Sequence, residues 1–323
     1  MQVVTSLAAL PALGVSRVAL TCGVFDGLHP GHRLLLATTQ AAAVRDGAAP
    51  VAFTFHPHPA LVLCPEKAPK LLLGEAHKLS LLADAGMAAA VQYPFTPAVA
   101  AVEPEAFLDE LIGGSGITLT SVCVGASWRF GYAARGDVAL LQRYGERYGF
   151  SVTGVPEVLD EGRPISSTRI RAAVAAGDLA TAERLLGRPF SIQGIVEHGK
   201  GIGSAELHYP TANVHAENQL FPPAGIYASR AHLRGAGGSR VASYDGILYL
   251  GYAPTFIRRP HAPLLVEMHI FDFAADIYGQ TLEVEFLGFI RGDAKFPGIA
   301  ALAQQIGRDI IQAKALLQAR RQE

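Results

Sequence analysis

Cysteine is scarce in this chain: Cys22, Cys64 and Cys123 make an odd count with no CxxC pair. A disulfide framework is therefore excluded, and the usage fits a reducing compartment. Charge is also sparse, at 17% of residues with a formal net charge of -1. No general attraction to nucleic acid or to an anionic membrane is built in, so an anionic ligand has to be held by a local site. Apolar runs stay short of the 18 or so residues a membrane span needs. The apolar stretch from Met1 to Leu20 lacks a basic leading segment, and Pro11 and Gly14 interrupt it, which argues against a signal peptide. Internal repeats are lacking too. The expectation is a cytoplasmic protein with no nucleic-acid or membrane partner. What is present is apolar content of 50% over 323 residues, enough for roughly two domains with their own cores.

Alternating patterns fill the first half. Val18, Leu20, Cys22 and Val24 read as a buried strand, Gly27 as a turn, and His32 to Ala43 as a helix. Strands follow at Val51–Phe55, Ala89–Tyr93, Ser121–Gly125 and Ser151–Val155, with helices at Pro104–Leu111 and Val138–Tyr148. Such alternation predicts an α/β domain with a Rossmann-like parallel sheet covered on both faces. A helical segment from Ser166 to about Leu186 is stopped by Gly187, Arg188 and Pro189, which sets domains at 1–187 and 188–323. Beyond it come short strand-like runs: Phe190–Glu197, Gly225–Leu233, Tyr244–Leu250, Leu264–Phe271 and Leu282–Phe286. They predict an antiparallel β-barrel, closed off by a C-terminal helix with Leu302, Ile306, Ile310, Ala313 and Leu317 on one face.

Two segments carry chemistry. Gly23 to His32 sits where a strand ends and a helix begins, at the carboxyl edge of a parallel sheet, where such folds bind ligands. Gly27 and Gly31 allow close backbone approach, and the first helical N–H groups have no intrahelical partner. His29, His32 and Arg33 add cationic or proton-donating groups at the positive end of the helix dipole, an arrangement that a polyphosphate makes favourable. At Ile165 to Arg171 the hydroxyls of Ser166, Ser167 and Thr168 suit a helix start. Capping leaves Arg169 and Arg171 in the first turn unexplained, and a bound phosphate accounts for both.

Taken in order, Gly23 to His32, Thr54-Phe55-His56-Pro57-His58-Pro59, Val124-Gly125 with Arg129-Phe130-Gly131, and Ile165 to Arg171 resemble successive motifs of the bacterial bifunctional riboflavin kinase and FMN adenylyltransferase family. The His-x-Gly-His element alone marks only the wider nucleotidyltransferases. The resemblance implies adenylyl transfer from ATP to FMN, giving FAD and pyrophosphate. It implies an ATP site with His29, His32, Gly23, Phe25 and Gly31, a second phosphate grip at Ser167, Thr168 and Arg171, and a flavin side at Phe55, His58 and Phe130. Since the nucleophile is an ionised phosphate, positioning and charge neutralisation suffice. Ser127 and Trp128 depart from the acidic or amide residue and the Phe usual there.

The second half continues the resemblance, through Pro210-Thr211-Ala212-Asn213, Pro254-Thr255-Phe256, Val266-Glu267-Met268-His269, Tyr278-Gly279, Phe289-Ile290-Arg291 and Lys295-Phe296. It implies riboflavin kinase chemistry. The ribityl hydroxyl is a weak acid that needs a general base, and the resemblance gives Glu267 that role and Thr211 and Asn213 the ligation of Mg2+ on the nucleotide. Oxygen donors suit that hard cation. The glycine-rich stretch Gly199 to His208 is long enough to wrap phosphates but is no Walker sequence. His208 and Tyr249 depart from the usual Gly and Asn. Two other readings stand beside the bifunctional one: an FMN adenylyltransferase whose barrel binds flavin or nucleotide without phosphorylating, and a flavin-sensing module without catalysis.

Overall fold

The computed structural model describes residues 1–198, 209–218, 220–235, 238–252 and 264–322. The Gly199–His208 stretch and the Pro254-Thr255-Phe256 triplet read from the sequence lie outside the described residues. The chain forms two compact units, one of Met1–Lys70 with Lys78–Ser167 and one of Leu71–His77 with Thr168–Glu323.

The first unit is built on a six-stranded sheet of β1 (Gln2–Val4), β2 (Arg17–Cys22), β3 (Ala49–His56), β4 (Ala89–Pro94), β5 (Thr118–Gly125) and β6 (Ser151–Val155), in the order β1-β4-β3-β2-β5-β6. Every neighbouring pair is parallel. Its helices are α1 (Pro30–Asp46), α2 (Pro59–Leu63), α3 (Glu75–Asp84), α4 (Pro97–Ala100), α5 (Pro104–Gly113) and α6 (Val138–Tyr148), the first residues of α3 counting with the second unit. A small hairpin, β7 (Leu159–Asp160) with β8 (Arg163–Pro164), follows β6. The central β2 is apolar in a continuous run, Val18 to Cys22 being buried, because a sheet covered on both faces offers it no water-facing side. The strand order reverses between β2 and β5, which opens a crevice at their carboxyl ends. β1, within the stretch read from sequence only as an apolar run, pairs at the sheet edge through three residues, too few for a period to be visible.

Besides Leu71–His77, the second unit takes in α7 (Ser167–Ala176) from Thr168 onward and α8 (Leu179–Leu186). Asp178 caps α8 by accepting from the Thr181 amide at 3.0 Å. A closed barrel follows, of β9 (Ser191–Glu197), β10 (Ala212–Ala216), β11 (Gly225–Arg234), β12 (Arg240–Tyr252), β13 (Leu264–Ile270) and β14 (Thr281–Arg291), ordered β10-β13-β12-β11-β14-β9 with antiparallel pairs throughout. The amphipathic α9 (Ile299–Ala319) covers part of its outside. Ile306, Ile310, Ala313 and Leu317 pack there on Ile226, Ala228, Ile247 and Leu287, and Arg291 forks onto Asp309 at 2.7 and 3.0 Å.

Elsewhere the barrel's outer face is polar yet dry. Glu283 is fully buried. It accepts from Ser191 Oγ at 2.9 Å, Arg234 Nη2 at 2.5 Å and Arg240 Nη2 at 3.0 Å, and His77 Nε2 stands at 3.3 Å. Burial alone would raise its carboxyl, but His77, Arg240 and Arg234 hold it far below the usual range. The segment Leu71–His77 is fixed here by this contact and by Asn218, whose amide donates to the Leu72 carbonyl at 2.7 Å.

Candidate functional site

In the first unit, the loop from β2 into α1 is wound tightly. Phe25 and Leu28 adopt φ of 55° and 43°, a region costing a side chain about 1–3 kcal/mol that surrounding packing must override. Both are buried. The turn delivers His29 as the N-cap of α1, with Pro30 at the first helical position and no side chain capping the helix start. The helix thus opens two residues before the sequence-read start at His32, and both histidines fall in its first turn.

Their rings stack with centroids 3.8 Å apart at 19°, and Phe25 closes edge-on against His32 at 5.5 Å. The Nδ1 atom of each is buried without a hydrogen-bond partner. Burial lowers His29 to about 4 against a weaker opposing pull from Asp26, and burial together with His29 drives His32 well below its ordinary value. Both rings are thereby pushed toward the neutral form. A Cβ on Gly31 would lie 3.2 Å from the His29 ring, and one on Gly23 would lie 3.0 Å from the Phe25 ring. A side chain at either position would press on the neighbouring ring, which would have to give by a few tenths of an ångström.

These histidines line a cavity of about 860 Å³. On the β3 and β4 side its wall is Phe55, Pro59, Leu63 and Phe95; after β5 it is Trp128 and Phe130, stacked at 4.6 Å and 19°. Phe55 and Phe130 also serve the core, Phe130 being buried and Phe55 packing against the same cluster. His58 caps α2, its Nδ1 accepting from the Ala60 amide at 3.1 Å, so a structural task accompanies any contact with flavin. Ser167 donates its hydroxyl to the Asp26 carbonyl at 2.8 Å, which joins the Ile165–Ser167 segment to the β2–α1 loop. Thr168 is exposed and Arg171 half-buried; both lie on α7 in the second unit. The Ser127 hydroxyl reaches Glu157 Oε1 at 3.4 Å, and both residues line the cavity. Sequence reading did not single out Glu157, since only the β5–β6 register brings it to Ser127.

In the second unit, Asn213 of β10 stands opposite Glu267 of β13, and Glu267 stands opposite Tyr249 of β12. One cross-strand row therefore carries the candidate ligand, the candidate base and the residue that departs from the family. Val266, Met268 and Ile270 are buried while Glu267 is half-buried, as strand alternation demands. Burial raises the Glu267 carboxyl and so makes it a stronger base. Tyr249 is pushed up to about 12 by burial and by Asp293 and Glu267, and its hydroxyl lies 3.5 Å from Asp293 Oδ2. His269 was quoted from the sequence only as part of a motif. Its Nδ1 donates to the Pro210 carbonyl at 2.8 Å and its ring meets Tyr209 edge-on, fixing the turn from which Thr211 enters β10.

The FAD synthetase family model matches residues 15–169 and the riboflavin kinase model residues 186–317. A bifunctional riboflavin kinase/FMN adenylyltransferase from Escherichia coli (strain K12) is 35% identical over 91% of this chain and 91% of its own length. One from Bacillus subtilis (strain 168) is 32% identical over 91% and 90%. A solved structure of a macrolide-efflux protein from Streptococcus pneumoniae shares the fold with a TM-score of 0.73 at 29% identity, covering 91% of this chain and 92% of that one; among the described residues here, no helix is long and apolar enough to cross a membrane. Matched at both halves and along nine-tenths of its length, the chain belongs to the bifunctional riboflavin kinase/FMN adenylyltransferase family.

Proposed function

We propose that this protein makes FAD in two ATP-dependent steps: residues 188–323 phosphorylate riboflavin to FMN, and residues 1–187 transfer the adenylyl group of ATP to FMN with release of pyrophosphate. The observation that carries the transfer step is the pair of unpartnered histidines at an uncapped helix start inside an aromatic-walled cavity. FMN phosphate attacks the α-phosphorus and pyrophosphate leaves. His29, His32 and the first amides of α1, near Gly23, Phe25 and Gly31, hold the triphosphate with Ser167 beside them, while phosphate-gripping roles for Thr168 and Arg171 rest on the family resemblance. Phe55 and Phe130 stack on the flavin, with His58 beside them. No proton needs removal from the nucleophile, so neutral imidazoles suffice as donors.

The kinase step rests on Glu267. With its carboxyl raised by burial, it takes the proton of the ribityl hydroxyl as that oxygen attacks the γ-phosphorus, and ADP leaves. Mg2+ fits the donors available, since Thr211 and Asn213 offer neutral oxygens. An ion completed by nucleotide phosphates and water would offset phosphate charge there. The small-molecule substrates and a cytoplasmic setting follow from the same reading. The narrower alternative, an adenylyltransferase with a silent barrel, is disfavoured by Glu267 and Asn213 standing in one row.

Product analysis with Mg-ATP tests it. Riboflavin should yield FMN and then FAD; FAD from supplied FMN but never from riboflavin would leave only the narrower activity. Glu267→Gln should lower FMN formation about 100- to 10,000-fold while FAD formation from supplied FMN persists.

A further inference from the structure

Two bulky groups have to share the first unit's cavity, one on each side of the phosphate grip at the carboxyl end of β2. Aromatic side chains wall much of it: Phe55 meets Phe95, Phe107 meets Phe130, and Phe130 stacks on Trp128, all five lining the cavity, with Phe53 joining Phe55 to Phe107 from the core behind. A tricyclic flavin suits that wall. The opposite wing, beyond β5 and β6, has a different chemistry. Gly125 pairs with Val155, and two residues further along each chain Ser127 and Glu157 meet, again on the cavity side. Next to Glu157, Val158 accepts from the Ile165 amide at 2.9 Å, so this rim continues into the segment that presents Ser167.

Glu157 is the one carboxylate among the residues lining the cavity. Glu157 is exposed at the rim, and beside two polyanions its carboxylate is repelled by phosphate and favoured where it meets hydrogen-bond donors or a cation. An ionised carboxylate only accepts, with room for several donors. A ribose cis-diol presents two O–H donors side by side, whereas the adenine edge alternates donor with acceptor and suits backbone better. From these observations we infer that Glu157, oriented by Ser127, binds the ribose hydroxyls of ATP and selects ribonucleotide over deoxyribonucleotide. The inference rests on the adenylyl-transfer reading and adds to it a sugar-binding residue.

FAD formation measured with FMN and either ATP or 2′-deoxy-ATP, on the unsubstituted chain and on Glu157→Ala and Glu157→Asp, tests it. Charge-assisted hydrogen bonds of this kind carry roughly a 10- to 100-fold effect. The unsubstituted enzyme should prefer ATP by about that factor. Glu157→Ala should raise the KM for ATP by a similar factor, bring the two nucleotides close to parity and leave the KM for FMN alone, and Glu157→Asp should restore part of the preference. FMN formation from riboflavin on the same preparations reports that the chain is folded. A raised KM for FMN with ATP unaffected would put Glu157 against the flavin and overturn the inference, as would an unchanged nucleotide preference. No FAD at all from the unsubstituted chain would overturn the transfer reading itself, and the inference with it.

Discussion

Two pairs of histidines sit in this protein, one beside carboxylates and one beside a cavity. In the second unit, His77 Nε2 faces Glu283 at 3.3 Å and His232 Nε2 faces Glu285 at 3.1 Å, within a network where two arginines and two glutamates balance. In the first unit, His29 and His32 stack on each other with no carboxylate at ion-pairing distance among the described residues and with Nδ1 unpartnered. Burying a polar atom without a partner costs about 1–3 kcal/mol. A sequence that tolerates this twice in one helical turn gains something elsewhere, and the cavity beside the rings is where a triphosphate supplies the missing partner. Buried polar atoms without a hydrogen-bond partner occur in the second unit too, His77 Nδ1 among them; what sets His29 and His32 apart is that both line a cavity.

The contrast can be broken experimentally, most severely at Glu283. Glu283→Ala leaves the buried Arg234 without its counter-charge and should cost about 3–5 kcal/mol, read as a lower midpoint in denaturant unfolding; a neutral result would show that the network is ornamental to stability. His32→Ala should do the reverse. FAD formation should fall about 100- to 1,000-fold with little loss of stability and with FMN formation from riboflavin intact, and equal loss of both activities would contradict the two-site assignment. A smaller effect concerns pH. With His29 lowered to about 4 in the folded state and near 6.5 when unfolded, the unfolded chain binds the proton first as pH falls. His29 thus contributes stability that is complete above about 6.5 and is lost progressively down to about 4, at most about 3 kcal/mol in all. Unfolding midpoints between pH 7 and 5 should fall less steeply in His29→Gln than in the unsubstituted chain.

Much of this was legible beforehand, for identifiable reasons. The β2–α1 loop announces itself because its glycines and histidines are contiguous, and the parallel sheet because β2, β3 and β5 are apolar runs. The barrel was legible as a class, but the five-residue β10 and the three-residue β1 were not, since neither is long enough to show a period. The protonation of His29 and His32 was left open because charge depends on burial, which spacing does not reveal. Glu157 and Ser127 are 30 residues apart, and Arg234 and Glu283 are 49 apart; no local pattern joins them, and only strand register does. The roles of Thr168, Arg171, Thr211 and Asn213 remain proposals carried by the resemblance and by their neighbours.

The contact between His77 and Glu283 spans 206 residues, and this has a consequence for how the protein is born. At roughly 5–20 residues per second, about 10–40 s of translation separate the two partners. During that interval the Leu71–His77 segment waits without its anchor, and the second unit can complete itself only when nearly the whole polypeptide has left the ribosome.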